Sequence, residues 1–274
     1  MEIIDFNKLW SQSSEDVSKI QDYWDMRAEE FNDDVFTKEG NQRNSTIIDL
    51  LISKGMLNED MEVLDIGCGP GKYSMEFSRK AKKVTGIDIS PKMISFAKEN
   101  SKKIGATNTD FMLIPWGQLD LDKQKWTKKY DLVFASTCPG INNSENLMKM
   151  VKASKGYCFL SCFANRTDKI KDEFNRVVFG QSTNSRGNNK IYYIFNILWQ
   201  QGLYPEICYQ DTEWKSQWTL EKAIEVCSLQ FGKKLEDGTE LKKKGENYLA
   251  SIVKNGIIKE TTSSKIAWIY WKTK

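Results

Sequence analysis

At 274 residues, 40% hydrophobic and 12% aromatic, the chain carries enough apolar material for a full core and a smaller second module. Its 40 basic and 37 acidic residues leave a formal charge of +3, which makes no electrostatic case for a nucleic-acid or membrane partner. The opening "MEIIDFNKLWSQSSED" has no basic stretch ahead of an apolar one, and no apolar run nears the ~20 residues that span a bilayer, so a cytoplasmic location is expected.

In chain order, 14–34 reads as an amphipathic helix marked by Val17, Ile20, Trp24 and Phe31, and "STIIDLLISKG" as a second helix ended by Gly55. Strand and helix then alternate. "MEVLDIG" is a strand, "PGKYSMEFSRKAK" a helix, "KVTGIDI" a strand, and "SPKMISFAKENSKKIG" a helix with Ser90 as N-cap and Pro91 in its first position. "TDFMLIPW" follows, then a short helical stretch near Trp126, the strand "YDLVFAS", a helix around "SENLMKMVKASKG" and the strand "YCFLSCFA". From 166 to 190 the chain is polar and rich in Gly, Asn and Ser, which predicts that part of it is a loop or mobile cover. A helix at "KIYYIFNILWQQG", a strand at "EICYQDTEW", the helices "TLEKAIEVCSLQFG" and "GENYLASIVKNG", and the apolar strand "KIAWIYWKT" complete the chain. The aromatic group Trp199, Tyr204, Trp214 and Trp218 reads as core.

This rhythm predicts a three-layer, doubly wound α/β fold: a mostly parallel seven-stranded sheet with helices on both faces and helical cap insertions. The expected parts are an N-terminal helical segment (1–44), an α/β core (45–218) with a mobile insertion near 166–190, a helical cap (219–258) and a final core strand (259–274).

The stretch "VLDIGCGPGKYS" places Gly67, Gly69 and Gly71 where the first strand turns into its helix, the usual ligand position of an open α/β sheet. The helix start there favours an anion. Asp88 follows Gly67 by 21 residues, at the end of the second strand, where a carboxylate accepts hydrogen bonds from ribose hydroxyls. The turn reads G-C-G-P-G, tighter than the dinucleotide pattern G-x-G-x-x-G, and Pro70 removes an N–H that a pyrophosphate would use. Asp65 just ahead of it would repel a pyrophosphate but suits an ammonium group. A ligand with adenosine at one end and an amino acid at the other, S-adenosylmethionine, meets all of these conditions.

On these residues, 63–74 and 84–90, the chain resembles the class I, Rossmann-like S-adenosylmethionine-dependent methyltransferases of small-molecule type, and the order of elements over 45–164 is similar to that family's core. The resemblance implies an antiparallel last strand, S-adenosylmethionine as cofactor and S-adenosylhomocysteine as product. It also implies roles: Asp65 near the methionine ammonium; Gly67, Cys68, Gly69 and Gly71 along the methionine and ribose; Asp88 on the ribose; Ile89, Met93, Ile114 and Trp116 around the adenine; and Ser136 at the edge of the site. The segment "YWDMRAEEF" is similar to one that such enzymes lay over the cofactor, which adds Tyr23 and Arg27. The family often carries an acid before the aromatic residue after the third strand. Here Pro115 precedes Trp116, so Gln118 or backbone groups would have to read the adenine amino group.

No histidine occurs in the chain, so any acid–base step falls to other groups; Tyr23, Asp22 and Cys138 are the candidate bases. The six cysteines are dispersed with no C-x-x-C pair, which predicts reduced, buried thiols and no metal site. The loop "ASTCPGINN" would meet the acceptor through Thr137, Cys138 and Asn142. The expected partner is a small-molecule methyl acceptor, with no membrane and no nucleic acid, in a monomer or homodimer. An RNA or protein methyltransferase, an NAD-dependent oxidoreductase and a non-catalytic S-adenosylmethionine-binding protein are the alternatives.

Overall fold

The computed structural model describes residues 5–10, 17–180, 189–235 and 239–274. Seven strands join in the order β3-β2-β1-β4-β5-β7-β6, with β7 antiparallel: β1 (Glu62–Ile66), β2 (Lys83–Asp88), β3 (Thr109–Leu113), β4 (Tyr130–Ser136), β5 (Ser154–Asp168), β6 (Glu206–Trp218) and β7 (Ile258–Lys272). The registers Ile66↔Ile87, Asp88↔Leu113 and Ser136↔Ser161 bring the carboxyl ends of the parallel strands to one edge.

The chain divides into two compact units. The first holds the chain up to Cys162, Lys190–Cys208 and Trp268–Lys274. Its helices are α1 (Phe6–Leu9), α2 (Val17–Asp33), α3 (Lys38–Ser53), α4 (Lys72–Ser78), α5 (Pro91–Lys103), α6 (Ser144–Ala153) and, further on, α8 (Lys190–Gln200). Local chemistry sets their ends. Ser90 Oγ accepts from Met93 N at 3.0 Å with Pro91 in the first helical position, and Asn143 Oδ1 accepts from Asn146 N at 2.8 Å. Gly55 ends α3 in the left-handed region, φ +67°. Val63, Leu64, Val84, Ile87 and Leu132–Ala135 are fully buried, as strands covered on both faces must be. Phe134 anchors this core, edge-on to Phe77 at 4.9 Å and stacked on Phe159 at 4.9 Å.

The second unit holds Phe163–Asn189 and Tyr209–Ala267, against an expected cap of 219–258. Its helices are α7 (Lys169–Phe179), α9 (Leu220–Leu235) and α10 (Thr239–Ser251). Phe174, Val178, Ala223, Cys227, Leu249 and Ile258 form its core. Gly245 lets α10 approach α7: a Cβ there would stand 2.6 Å from the Phe174 ring. Beneath α7 lies a polar cluster in which Asp168 accepts two bonds from Arg166, at 2.7 and 2.8 Å, and one from Thr262 Oγ1 at 2.7 Å.

Two expectations are corrected and one is refined. Of the polar stretch after residue 165, the first part continues β5 to Asp168 and then forms α7. The buried Glu260 carboxylate accepts from Ile170 N at 3.0 Å and Lys171 N at 3.2 Å, capping a helix whose Phe174 and Val178 face the core; residues 181–188 of that stretch lie outside the described residues. No helix forms near Trp126. The Asp120 carboxylate captures the N–H groups of Asp122 and Lys123, and Lys125 adopts φ +56°, so the chain turns while Trp126 packs edge-on to Tyr130. Trp199 and Tyr204 are exposed, 53% and 65%, and pair with each other at 4.9 Å instead of entering the core. Among the described residues, no helix is long and apolar enough to cross a membrane.

Candidate functional site

At the carboxyl end of β1 the chain turns sharply and is tied to its neighbour: Gly67 N and Cys68 N both donate to Ile87 O, at 2.8 and 3.0 Å. The turn needs glycine. Gly67, Gly69 and Gly71 have φ of +68°, +54° and +86°, and a Cβ on Gly67 would lie 2.6 Å from Cys138 Sγ. The backbone of Gly67 is exposed and that of Gly69 half-exposed, while Asp65, Cys68, Pro70 and Gly71 around them are buried. Two peptide units thus offer an open edge framed by packed groups.

Asp88 closes this edge from β2. Its Oδ2 accepts from Gly69 N and its Oδ1 from Ser90 N, both at 2.9 Å. Burial raises its pKa against the pull of those backbone bonds. Asp65 is buried behind the turn, where Ser74 Oγ donates to its Oδ2 at 2.6 Å. Burial dominates there and pushes Asp65 up to about 7, with the Ser74 bond opposing. Met93 is buried at the turn, its Sδ 3.8 Å from the place a Gly69 Cβ would take. The Cys68 thiol faces inward, 3.1 Å from the position of a Gly86 Cβ, and burial holds it well above its ordinary pKa.

Ile89 and Ile114 are half-buried beside Asp88, with Ile114 N donating to Asp88 O at 2.9 Å. Trp116 turns toward α6: its Nε1 donates to Asn146 O at 3.1 Å, and the Lys149 ammonium lies 5.6 Å from its ring centre. Gln118 is exposed.

On α2, Arg27 donates to Tyr23 Oη at 3.3 Å and to both Glu30 oxygens at 3.2 Å, and its guanidinium covers the Phe31 ring at 4.9 Å. Asp22 is exposed. The residue that fastens α2 to the site was not anticipated: Asp25 Oδ1 accepts from Ser90 Oγ and, at 3.2 Å, from Lys92 N. Asn32 Oδ1 adds a second tie, accepting from Asn100 Nδ2 at 2.7 Å. Asp25 sits inside the quoted "YWDMRAEEF", but nothing local distinguishes it from the other acids there.

Past β4, Ser136 and Ser161 share a hydroxyl contact at 2.9 Å, and Ser161 Oγ accepts from Thr137 N at 3.0 Å. Thr137 is exposed with φ +48°, and Asn142 Oδ1 accepts from Asn146 Nδ2 at 3.0 Å. Cys138 is buried, and burial pushes its thiol up to about 11, the wrong direction for a base at neutral pH. Two further residues had no signal in the sequence. Lys190 is half-buried at the start of α8, and burial lowers the pKa of its ammonium. Asn44 on α3 is 1% exposed, with neither end of its amide hydrogen-bonded.

Asp88 with acceptor capacity left, two accessible glycine peptides, a second carboxyl behind them and the apolar Ile89, Met93 and Ile114 nearby match the groups of an adenosyl amino acid. A family model described as a methyltransferase domain matches residues 57–245. Over 129 residues, 46% of this chain, the sequence is 27% identical to a 23S rRNA uracil-C(5)-methyltransferase of Alcanivorax borkumensis. The chain spans less than a third of the length of the first curated relatives it matches, 29% and 28%. Among solved structures, magnesium protoporphyrin IX methyltransferase from Synechocystis, with bound S-adenosylhomocysteine, is similar at 18% identity and a TM-score of 0.54, over 73% of this chain and 93% of that one. A phosphoethanolamine N-methyltransferase of Haemonchus contortus is similar at 14% identity and a TM-score of 0.55, over 99% of this chain and 60% of that one.

Proposed function

This chain belongs to the methyltransferase-domain family of class I, S-adenosylmethionine-dependent methyltransferases, and from that premise we propose that it moves a methyl group from S-adenosylmethionine to a small-molecule acceptor. The observation that carries the reading is the joining of Gly67, Gly69 and Asp88 through the 2.9 Å bond between Gly69 N and Asp88. That bond holds a carboxylate able to accept from ribose hydroxyls against an open glycine backbone.

When bound, the cofactor supplies an electrophilic methyl group on a sulfonium, so the protein needs no covalent nucleophile of its own. The chain's work is to bind, orient and exclude water. In this reading Asp88 accepts from the ribose hydroxyls, Gly67 and Gly69 present backbone to the amino-acid portion, and Asp65 faces the ammonium. Ile89, Met93 and Ile114 pack on the adenine. The helix that carries Tyr23 and Arg27, held through Asp25, covers the cofactor. Holding an acceptor atom in line can supply ~7–11 kcal/mol by itself. With Cys138 held protonated and Asp22 in solvent, we assign no base.

The near balance of charge, +3 overall, supports a small acceptor over a polyanion. Two relatives of the same fold are named for small acceptors, a magnesium porphyrin and phosphoethanolamine. The match to an rRNA methyltransferase favours a second reading, an RNA acceptor. That reading requires RNA binding that weakens steeply with salt.

Calorimetric titration separates the cofactor choices. S-adenosylhomocysteine is expected to bind one per chain and NAD not at all. Asp88→Ala should weaken the former about 100-fold, since hydrogen bonds to a charged group contribute ~1.5–3 kcal/mol each. Binding of NAD with indifference to S-adenosylhomocysteine sinks the reading.

A further inference from the structure

The strand β6 ends the sheet: it pairs with β7 on one side and, among the described residues, with no strand on the other. Such an edge leaves a row of backbone N–H and C=O groups to pair, and native edges are blunted by proline, bulges, short length or charge. Tyr209–Trp218 contains neither proline nor glycine, so charge is what guards it. Its side chains alternate, with Asp211, Glu213, Lys215 and Gln217 exposed and Thr212, Trp214 and Ser216 between them half-buried. The Asp211 and Lys215 side chains are 78% and 74% exposed, so that face is open. Lys215 Nζ lies 3.5 Å from Glu213 along the strand, while Asp211 pairs across to Lys265 of β7 at 2.5 Å. On the other face, Thr212 Oγ1 meets Ser264 Oγ at 2.8 Å.

We propose that the free edge of β6 receives the same edge of a second copy, antiparallel about a two-fold axis through Trp214, so that the protein is a homodimer. In that register the strand is complementary to itself. Glu213 stands opposite the partner's Lys215 and Lys215 opposite the partner's Glu213, which turns two exposed pairs into one square of alternating charge. Thr212 falls opposite the partner's Ser216, and Trp214 opposite its own copy; hydroxyl and aromatic pairs of this kind stabilise antiparallel strands. The neighbouring registers fail. Sliding one strand by two residues sets Glu213 against Glu213 in one direction and Lys215 against Lys215 in the other. A slip of one residue sets the exposed face beside the half-buried one. Charge thus chooses both partner and register, and an unrelated extended segment would have to bring the same alternation to compete. The pairing uses no residue of the glycine turn, so it stands or falls apart from the methyltransferase reading.

Sedimentation equilibrium on the full chain, with no ligand added, tests this. The wild type is expected to be a reversible dimer with a dissociation constant on the order of 10 μM, in keeping with a short strand-to-strand interface. Lys215→Glu and Glu213→Lys each set like charges opposite one another twice, and each should weaken the dimer about tenfold or more, ~1.4 kcal/mol. Both substitutions together restore the alternation and should bring the constant back to within about threefold of wild type, roughly 0.7 kcal/mol. That rescue reports the register: with Glu213 on the axis instead, Asp211 would face the acid newly placed at 215 and the double variant would stay weak. Both positions are exposed, so circular dichroism of all three variants should match the wild type. A wild type that remains monomeric at about 100 μM overturns the proposal and leaves the edge to a segment of another protein. Single reversals that keep the dimer place it on a different surface, and a double variant that stays monomeric rejects the register; either result also overturns it.

Discussion

The two ends of one strand edge are built by different means. Around β1 and β2 the surface is mostly backbone: glycines at positive φ, amides pinned to Ile87 O, and two carboxylates bonded to nearby groups, Asp65 to Ser74 and Asp88 to Gly69. Around β4 and β5 it is side chains, Ser136, Cys138, Ser161 and Cys162, contributed by two strands whose residues lie more than 20 positions apart in the chain. A site made of backbone has a shape that almost any substitution destroys, whereas one made of side chains can be retuned residue by residue. The first suits a ligand that does not change; the second suits one that does.

The sharpest way to break this comparison is at Gly67. Gly67→Val sets a branched side chain at φ +68° and drives its Cβ into Cys138 Sγ, so S-adenosylhomocysteine binding should be abolished, a loss of more than about 1,000-fold or ~4 kcal/mol. Near-normal calorimetric binding by this variant would show that the turn is not the cofactor's seat.

Asp65 sharpens it through pH. A carboxyl whose folded pKa of about 7 lies above its unfolded value of 3.8 holds a proton that the unfolded chain has released. The resulting stability is fully present below the unfolded value and is lost as pH rises through the folded one. A cofactor ammonium beside Asp65 favours the opposite state, so binding should release a proton near pH 7 and S-adenosylhomocysteine should bind more tightly at pH 8 than at pH 6. Asp65→Asn should flatten that profile. Calorimetry in buffers of different ionisation enthalpy counts the proton, and an equal count in the variant refutes the role.

The smallest effect belongs to the other end. Ser161→Ala removes the acceptor for Thr137 N and the partner of Ser136, and is expected to lower stability by ~1 kcal/mol in chemical denaturation while leaving cofactor affinity within about twofold. A large loss of cofactor binding would mean that the two ends are not independent.

Much of the architecture was legible before any coordinates. The alternation of strand and helix, the Ser90–Pro91 helix start and the glycine turn followed by Asp88 depend on neighbours within a few residues, where turn geometry and capping act. The misreadings arose where distant residues decided the local structure. Glu260, 90 residues from Ile170, caps a helix that the polar stretch after residue 165 did not announce. Cys138 looked like a base in the sequence and is a buried thiol in the fold. Asp25 was one acid among several until Ser90, 65 residues away, met it.

Sequence alone determined the glycine turn and the alternation of strands with helices that makes a mostly parallel sheet, because backbone conformation and hydrophobic period are local properties written in adjacent residues. Tertiary structure alone decided which side chains meet along that edge, because the burial of Cys138 and the meetings of Asp25 with Ser90 and of Ser136 with Ser161 exist only once segments far apart in the chain have packed together.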